Sequence, residues 1–599
     1  MGKRLSMTAR AVLLWGVALA VTTALMIRVW SIDGVAAGWR AFIGGATLIA
    51  LRGVLCMKGA RLRARRSRVV LSALFGAAFG GAFAMGAKVY AYLNGPSAGN
   101  QRLVAQFSLV DVAKFAAVAL CFFLVIFYAA SLLERDHVAL ARYLNAGRAK
   151  PNAVFFTALA AFLFAWSGFW ITYFPGTCIS DTVWILEDPV GMSTQHPFFY
   201  CQLLYGLVMA GNGLFGHMNA GYALYTFAQM CYVAFSMAWA LRWLAKKGCP
   251  TLLLAAFCAH FAFSRLMANI AVTGIKDGWF GATVVLLLPL FCDLAVSRGE
   301  KLESPKFSAA LVGLGTVAAL LRNNGLYVMA LTMFVLLFSV RRYRIRLLLV
   351  AFLTLALPYG SNALAMRYVV KGEAQFTEMI AVPMQQICMT VVNGGEITDE
   401  QEAFIYRVVP REVILEHYSP TSFDKLKWEQ KAKFSRSFLN QNKAKFFRVW
   451  AEMLPKNLGS YIQAYALLTS GFWDSFEHAY AQGYYTDIAN PDSIDLGIEN
   501  VQILPDWLQR RMDAWYQGYK KSMLGAGNVF LITLLLMGIA LSARERRKWI
   551  VFVPLAGIWL TLMASVPINY GFRYVFALYM ALPIALFVTF ATFDREGER

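Results

Sequence analysis

Apolar runs of about spanning length recur along the whole chain, near residues 11–29, 37–57, 69–93, 109–133, 152–173, 220–243, 251–273, 278–297, 307–322, 325–340, 346–367, 527–542, 549–566 and 573–591. An α-helix needs about 20 apolar residues to cross the hydrocarbon core of a bilayer. Each run therefore reads as a crossing, and the chain reads as a polytopic α-helical membrane protein with about fourteen transmembrane helices. Composition agrees: 59% of the 599 positions are hydrophobic and 15% are charged, well below the charge of a water-soluble chain. Nine Cys, mostly inside apolar runs, are too sparse for a disulfide-stapled secreted scaffold.

The net charge of +22 needs locating before it means anything. Basic clusters stand at Lys58 to Arg68, Arg135 to Lys150, Arg242 to Lys247, Arg298 to Lys306, Arg341 to Arg346 and Arg544 to Lys548. Short Lys/Arg-rich loops stay in the cytoplasm, and all six clusters agree on one topology with both termini cytoplasmic. No nucleic-acid partner is expected, because the cations lie in short loops between spans and not on one basic domain. The first run has the basic flank of a secretion signal without a small-residue cleavage site before Ser31, so it reads as a retained anchor. The stretch Phe198 to Phe215 is nearly long enough to span, but counting it would carry Lys246 and Lys247 outside. It reads as an interfacial or re-entrant helix.

Residues 368–525 are the one long polar interval, with about 16 basic and 19 acidic residues, and lie outside by the same parity. Apolar positions at three- and four-residue spacing over Glu400 to Glu416, Phe423 to Phe447 and Ile503 to Met523 predict a mainly helical extracytoplasmic domain. The expected organisation is a four-helix membrane module over 1–150, a membrane core over 151–367 with an extracytoplasmic loop at 174–219, the domain over 368–525, and the last transmembrane helices over 526–599.

Polar side chains at the ends of apolar helices cost free energy that pairing or function must offset. Five places stand out: the loop from Tyr173 through Asp181, Glu187 and Asp188 to His196-Pro197; Lys276-Asp277; Arg322-Asn323-Asn324-Gly325; Gln385-Gln386; and Asn569 to Arg573-Tyr574. Each has an ordinary reading as a helix cap, a snorkelling pair, a turn, a loop or an interfacial anchor. The topology, derived without them, puts all five on the extracytoplasmic face. That points to one outward-facing cavity with carboxylates on the early loop and cations at Lys276, Arg322 and Arg573. Cations at headgroup depth suit a lipid phosphate or pyrophosphate, and an opposing carboxylate suits proton abstraction.

The order Tyr173-x-Pro-Gly-x4-Asp181, His196-Pro197, Lys276-Asp277, Arg322-Asn-Asn-Gly325, Pro383-x-Gln-Gln386 and Arg573-Tyr574 resembles the GT-C superfamily of polyprenyl-phosphate-sugar-dependent glycosyltransferases, and more closely a GT-C-like family of bacterial membrane proteins, over about 152–592. The resemblance implies a GT-C-like fold in the bacterial cytoplasmic membrane. It also implies an inverting transfer of one sugar from a polyprenyl phosphate to an extracytoplasmic glycan, lipid or protein. Asp181 would then be the catalytic base, with Lys276, Arg322 and Arg573 holding the departing phosphate and Asp277, Asn323, Asn324, Gln385, Gln386 and Tyr574 in support. One departure is that four helices precede the one leading into Asp181, where the superfamily has none.

The chemistry sharpens these expectations. A carboxyl with a pKa near 4 is a poor base toward a sugar hydroxyl, so Asp181 should have its pKa raised by partial desolvation. His196, closer to neutral, is the rival base. A divalent metal held by Asp181 with Glu187 or Asp188 is conceivable, although the separations match no recognised ligand spacing. Tyr461, Tyr465, Phe472, Trp473, Tyr480, Tyr484 and Tyr485 form a domain core, an interfacial belt or a sugar-stacking surface. Cys178, Cys201 and Cys388 fall on the oxidising side, where Cys178 and Cys201 could pair. The rival functional classes are a lipid or glycan transporter or flippase with an outward-facing cavity, and a noncatalytic envelope scaffold. Transport predicts inverted repeats and midplane sites, and the sequence displays neither.

Overall fold

The apolar runs become helices wherever the computed structural model describes them. It describes residues 43–48, 66–94, 107–135, 149–371, 375–428, 433–476, 485, 495–518, 525–543 and 546–591, so the run at 11–29 and most of that at 37–57 lie outside the described residues. Among the described residues there is no β-strand, only isolated bridges between Thr177 and Thr273 and between Ser422 and Ile568. Nine helices among the described residues are long and apolar enough to cross a membrane, or ten if Thr251–Ala262 and Arg265–Val272, bent by 59°, form one span. Pro305–Leu321, Gly325–Ser339 and Ala526–Ser542 cover three further runs as shorter apolar helices. In lipid a helix satisfies its own backbone, which is why an apolar chain of this composition resolves into helices.

Four helices build the frame of the site. Pro151–Thr172 begins with Pro, whose missing N–H is harmless in a first turn. It runs antiparallel to Met218–Lys246: Trp170 Nε1 donates to Thr226 at 2.9 Å near one end, and Arg242 Nε donates to Asn152 at 3.0 Å near the other. Lys276–Val296 packs on the same helix, and Phe576–Phe590 packs on Lys276–Val296. Lys247 pairs with Asp293 at 3.1 Å, at the far end of Lys276–Val296 from Lys276. Lys246 and Lys247 therefore lie opposite the end that carries Asp181 and Lys276.

Phe198–Phe215 has the length and apolarity of a crossing, so length alone does not decide its character. The chain on either side of it is tied to distant segments. His196, just ahead of it, meets Lys276, and just beyond it Asn219 accepts from the Glu499 backbone N–H at 2.9 Å. By length and composition the helix remains among the candidate crossings. It forms a tight hairpin with Met218–Lys246, where Gly221 faces Gly211 and a Cβ on Gly221 would press into the Val208 carbonyl oxygen. Overpacking of this kind costs about 1–3 kcal/mol. Gly221→Ala should lower the thermal unfolding midpoint in detergent by several degrees, and an unchanged midpoint would show that the hairpin can open without cost.

The polar interval divides in two. Residues 376–461 build their own core from Phe376, Ile380, Met384, Ile387, Phe404, Ile414, Phe423, Leu439, Phe446 and Tyr461. Its helices follow local signals: Asp399–Val408 starts with a capping box of Thr398 and Gln401, and Pro410 separates it from Arg411–His417. Beyond Tyr461 the chain returns to the membrane body, whose core takes in Leu468, Phe472, Ile498 and Tyr516. At the N-terminal side, Arg66–Asn94 and Leu109–Arg135 pack together through stacked Phe79 and Phe122, and both rest on Ala526–Ser542.

Candidate functional site

Two neighbouring helix N-termini create the site. After Tyr173 the chain turns at Gly176, whose φ of 122° and close approach to Thr226 and the Val272 carbonyl leave no room for a side chain. Thr177 then lies alongside the segment at Thr273. Its N–H donates to Val272 O at 3.2 Å, Gly274 N–H donates to Thr177 O at 2.9 Å, and the two threonine hydroxyls meet at 2.7 Å. Tyr222 OH also donates to Thr177 O at 2.7 Å. This short extended pair sets the start of Ser180–Glu187 beside the start of Lys276–Val296. Asp181 stands in the first turn of one helix and Lys276-Asp277 in the first turn of the other. The partial positive charge of a helix N-terminus favours the carboxylates there. Gln229 holds the preceding segment in place, its amide nitrogen lying 3.0, 3.2 and 2.6 Å from the carbonyl oxygens of Ile270, Ala271 and Thr273.

Arg573, just ahead of Phe576–Phe590, completes the cluster. Its Nη1 lies 3.2 Å from Asp181 Oδ2, and its Nη2 donates to Tyr574 OH at 3.2 Å. Lys276 Nζ meets His196 Nδ1 at 2.6 Å. Asp181, His196, Lys276 and Arg573, together with Thr182, Tyr200 and Asp277, line one small, partly open cleft. The enclosed space is about 10 Å³, room for about one water molecule, so the side chains must part to admit a phosphate or a sugar.

The electrostatics reverse one expectation. Burial alone would raise the Asp181 carboxyl, but Arg573, followed by His196 and Lys276, outweighs burial and holds it at about 2. Asp181 is therefore a permanent carboxylate, not the desolvated acid with a raised pKa that its half-apolar loop predicts. Burial, with the Lys276 ammonium adding to it, holds His196 down at about 3 against the pull of Asp181. The imidazole is neutral at pH 7; with Nδ1 accepting from Lys276, its Nε2 carries the proton. Burial also pushes the phenol of Tyr485 up to about 12, with Arg573, Tyr574 and Asp181 within electrostatic reach.

The remaining predicted residues separate. Arg322 does not line the cleft; it pairs with Asp277, 2% exposed, and its guanidinium lies 5.6 Å from the Phe280 ring centroid and 5.5 Å from that of Tyr574. Asn323 reaches Gln195 O at 3.5 Å, and Asn324 donates to Thr561 at 3.0 Å. Gln385 and Gln386 do not join the site at all. Gln385 donates to Ser419 O at 3.0 Å, while Gln386 donates to Tyr461 O and accepts from Trp450 Nε1 at 2.7 Å, inside the core of the polar domain. A buried amide needs such partners, which accounts for Gln386, whereas the buried Gln385 carbonyl oxygen accepts no hydrogen bond among the described residues. Glu187 and Asp188 are exposed, and Asp188 accepts from the Gly191 N–H at 2.8 Å. Among the described residues no group of three or more His, Cys, Asp or Glu is placed to hold a metal ion.

Cys178 and Cys201 are both free and buried, which overturns the pairing considered for them: the Cys178 sulfur is 3.4 Å from Ile179 O, while Cys201 faces Ser193. Tyr461 and Phe472 serve the cores, and Tyr480 and Tyr484 lie outside the described residues. The sequence reading passed over Tyr200, Thr182 and Gln229. Only Gln229 carried a signal, as an amide in the middle of a long apolar helix.

A family model described as a family of unknown function (DUF6020) matches residues 184–599. The chain belongs to this family. The matched region contains His196, Lys276, Arg322 and Arg573, and begins three residues after Asp181 (184 − 181). Neither the curated proteins nor the solved structures contain a match.

Proposed function

We propose that the protein is a GT-C-type membrane glycosyltransferase that moves a sugar from a polyprenyl phosphate to an extracytoplasmic glycan, lipid or protein acceptor. The observation that carries this reading is the cleft itself: a carboxylate, a neutral imidazole and two cations from three distant parts of the chain meet at the ends of apolar helices. Without ligand, Arg573 is held by Asp181 and Lys276 by His196. A donor phosphate takes both cations in charge-assisted bonds and frees the carboxylate. Asp181 then accepts the proton of the acceptor hydroxyl as its oxygen attacks the anomeric carbon. The bond from that carbon to the phosphate oxygen breaks, the electron pair leaves with the polyprenyl phosphate, and the anomeric configuration inverts. His196, neutral and fixed by Lys276, orients the site.

The test incubates the purified chain, reconstituted in lipid, with polyprenyl-phosphate sugars and a membrane extract as acceptor source. Release of the free polyprenyl phosphate is expected. Movement of the intact donor between leaflets with no release would overturn transfer in favour of a flippase. Charge-assisted bonds contribute about 1.5–3 kcal/mol. Arg573→Gln and Lys276→Gln should therefore each raise the KM for the donor about 10- to 100-fold, and an unchanged KM would remove that cation from donor binding.

A further inference from the structure

The helix Asp506–Gln517 has two faces of different chemistry. Its inner face rests on the last turns of Pro151–Thr172: Tyr516 packs edge-on against Phe169, Gln509 donates to Thr172 O at 2.8 Å, and Asp513 accepts from Tyr173 OH at 2.6 Å. Its outer face carries Trp507, Arg510, Arg511, Ala514 and Trp515, all exposed, with Trp507 at 60% and Trp515 at 48%. These positions follow the three- and four-residue spacing of a single helix face. Arg265 pins the far end, its guanidinium 4.9 Å from the Trp515 ring centroid and its Nη1 donating to Trp515 O.

The acids of this helix are already engaged inward or along the chain, Asp513 by Tyr173 and Asp506 by Gln502. Among the described residues no carboxylate pairs with Arg510 or Arg511. Two arginines between two exposed tryptophans, lying at the end of a membrane span, match the headgroup layer: indole rings settle at the interface, and guanidinium groups bind phosphates there.

We propose that this face docks on the bilayer and selects anionic phospholipid, with Arg510 and Arg511 on the headgroup phosphates and Trp507 and Trp515 seated beside them. The proposal is independent of sugar transfer. It is tested by releasing the full chain from mixed micelles holding equal phosphatidylglycerol and phosphatidylcholine, and weighing the lipid it retains by native mass spectrometry. Each basic side chain at an anionic surface contributes about fivefold in affinity. The unaltered protein should retain mainly phosphatidylglycerol, Arg510→Gln with Arg511→Gln about 20- to 30-fold less, and Trp507→Ala with Trp515→Ala less of both lipids. Arg448→Gln with Lys456→Gln removes the same charge from the polar domain and should leave retention unchanged. Equal retention of the two lipids, an unaffected arginine variant or an equally affected control overturns the proposal, and an unaffected arginine variant leaves the face to a protein partner.

Discussion

Asp181→Asn is expected to lower sugar transfer by about 10²- to 10⁴-fold, the usual contribution of a positioned general base, while expression and folding persist. The carboxylate occupies the first turn of a short helix and is 30% exposed, so the amide fits the same space and loses mainly the ion pair with Arg573. Full activity in the variant would remove Asp181 from the mechanism and, with it, the proton transfer proposed above. The pH profile separates this carboxylate from other bases. In the free protein Asp181 is ionised above about 2, and His196 becomes charged only near 3. The acid limb of kcat/KM should therefore lie below about pH 4, because falling pH disables the base only as it passes through the depressed pKa. Once a donor phosphate occupies Arg573, the leading cation is withdrawn from Asp181 and burial reasserts itself, so the acid limb of kcat should move upward. Coincident limbs at neutral pH in both parameters would point to a different base.

The second large effect is on stability. Asp277 is almost fully buried and Arg322 is 11% exposed, so removing one partner strands the other in a low-dielectric setting. Such losses cost about 3–5 kcal/mol. Asp277→Asn and Arg322→Gln should each cause a large drop in the thermal unfolding midpoint, whereas the two combined should recover much of it. Strictly additive losses in that cycle would mean that the two side chains do not depend on each other. Because Arg322 also lies between Phe280 and Tyr574, a weak Arg322→Lys rescue is expected: an ammonium lacks the planar fork and face.

Much of this architecture was legible because hydropathy acts through the solvent. A run such as Lys276–Val296 or Phe576–Phe590 needs no partner to declare itself apolar. The polar interruptions at Asp181, His196, Lys276 and Arg573 were conspicuous against that background, and the structure brings these four together. What stayed hidden was pairing. Arg573 reaches Asp181 across 392 residues of chain, and it leads the groups that hold the carboxyl down against burial. Arg322 and Asp277 looked like separate site residues until their ion pair was seen. Gln385 and Gln386 looked like a loop motif because their partners, Ser419, Tyr461 and Trp450, come from distant parts of the polar domain. Cys178 and Cys201 share a face in sequence order but turn to different neighbours.

The amide of Gln229, gathered by three carbonyl oxygens, has a consequence for which residues that position tolerates. Those oxygens belong to the last turn of Arg265–Val272 and to Thr273 just beyond it, and Gln229 and Thr273 are fully buried, so the side chain plays the part of solvent for them. Glutamate, nearly identical in shape, would set a negative charge against three dipoles of the same polarity. Leucine would merely leave them unfulfilled. Natural variation at residue 229 should therefore run through donors and avoid the acid, contrary to the order that side-chain similarity alone suggests.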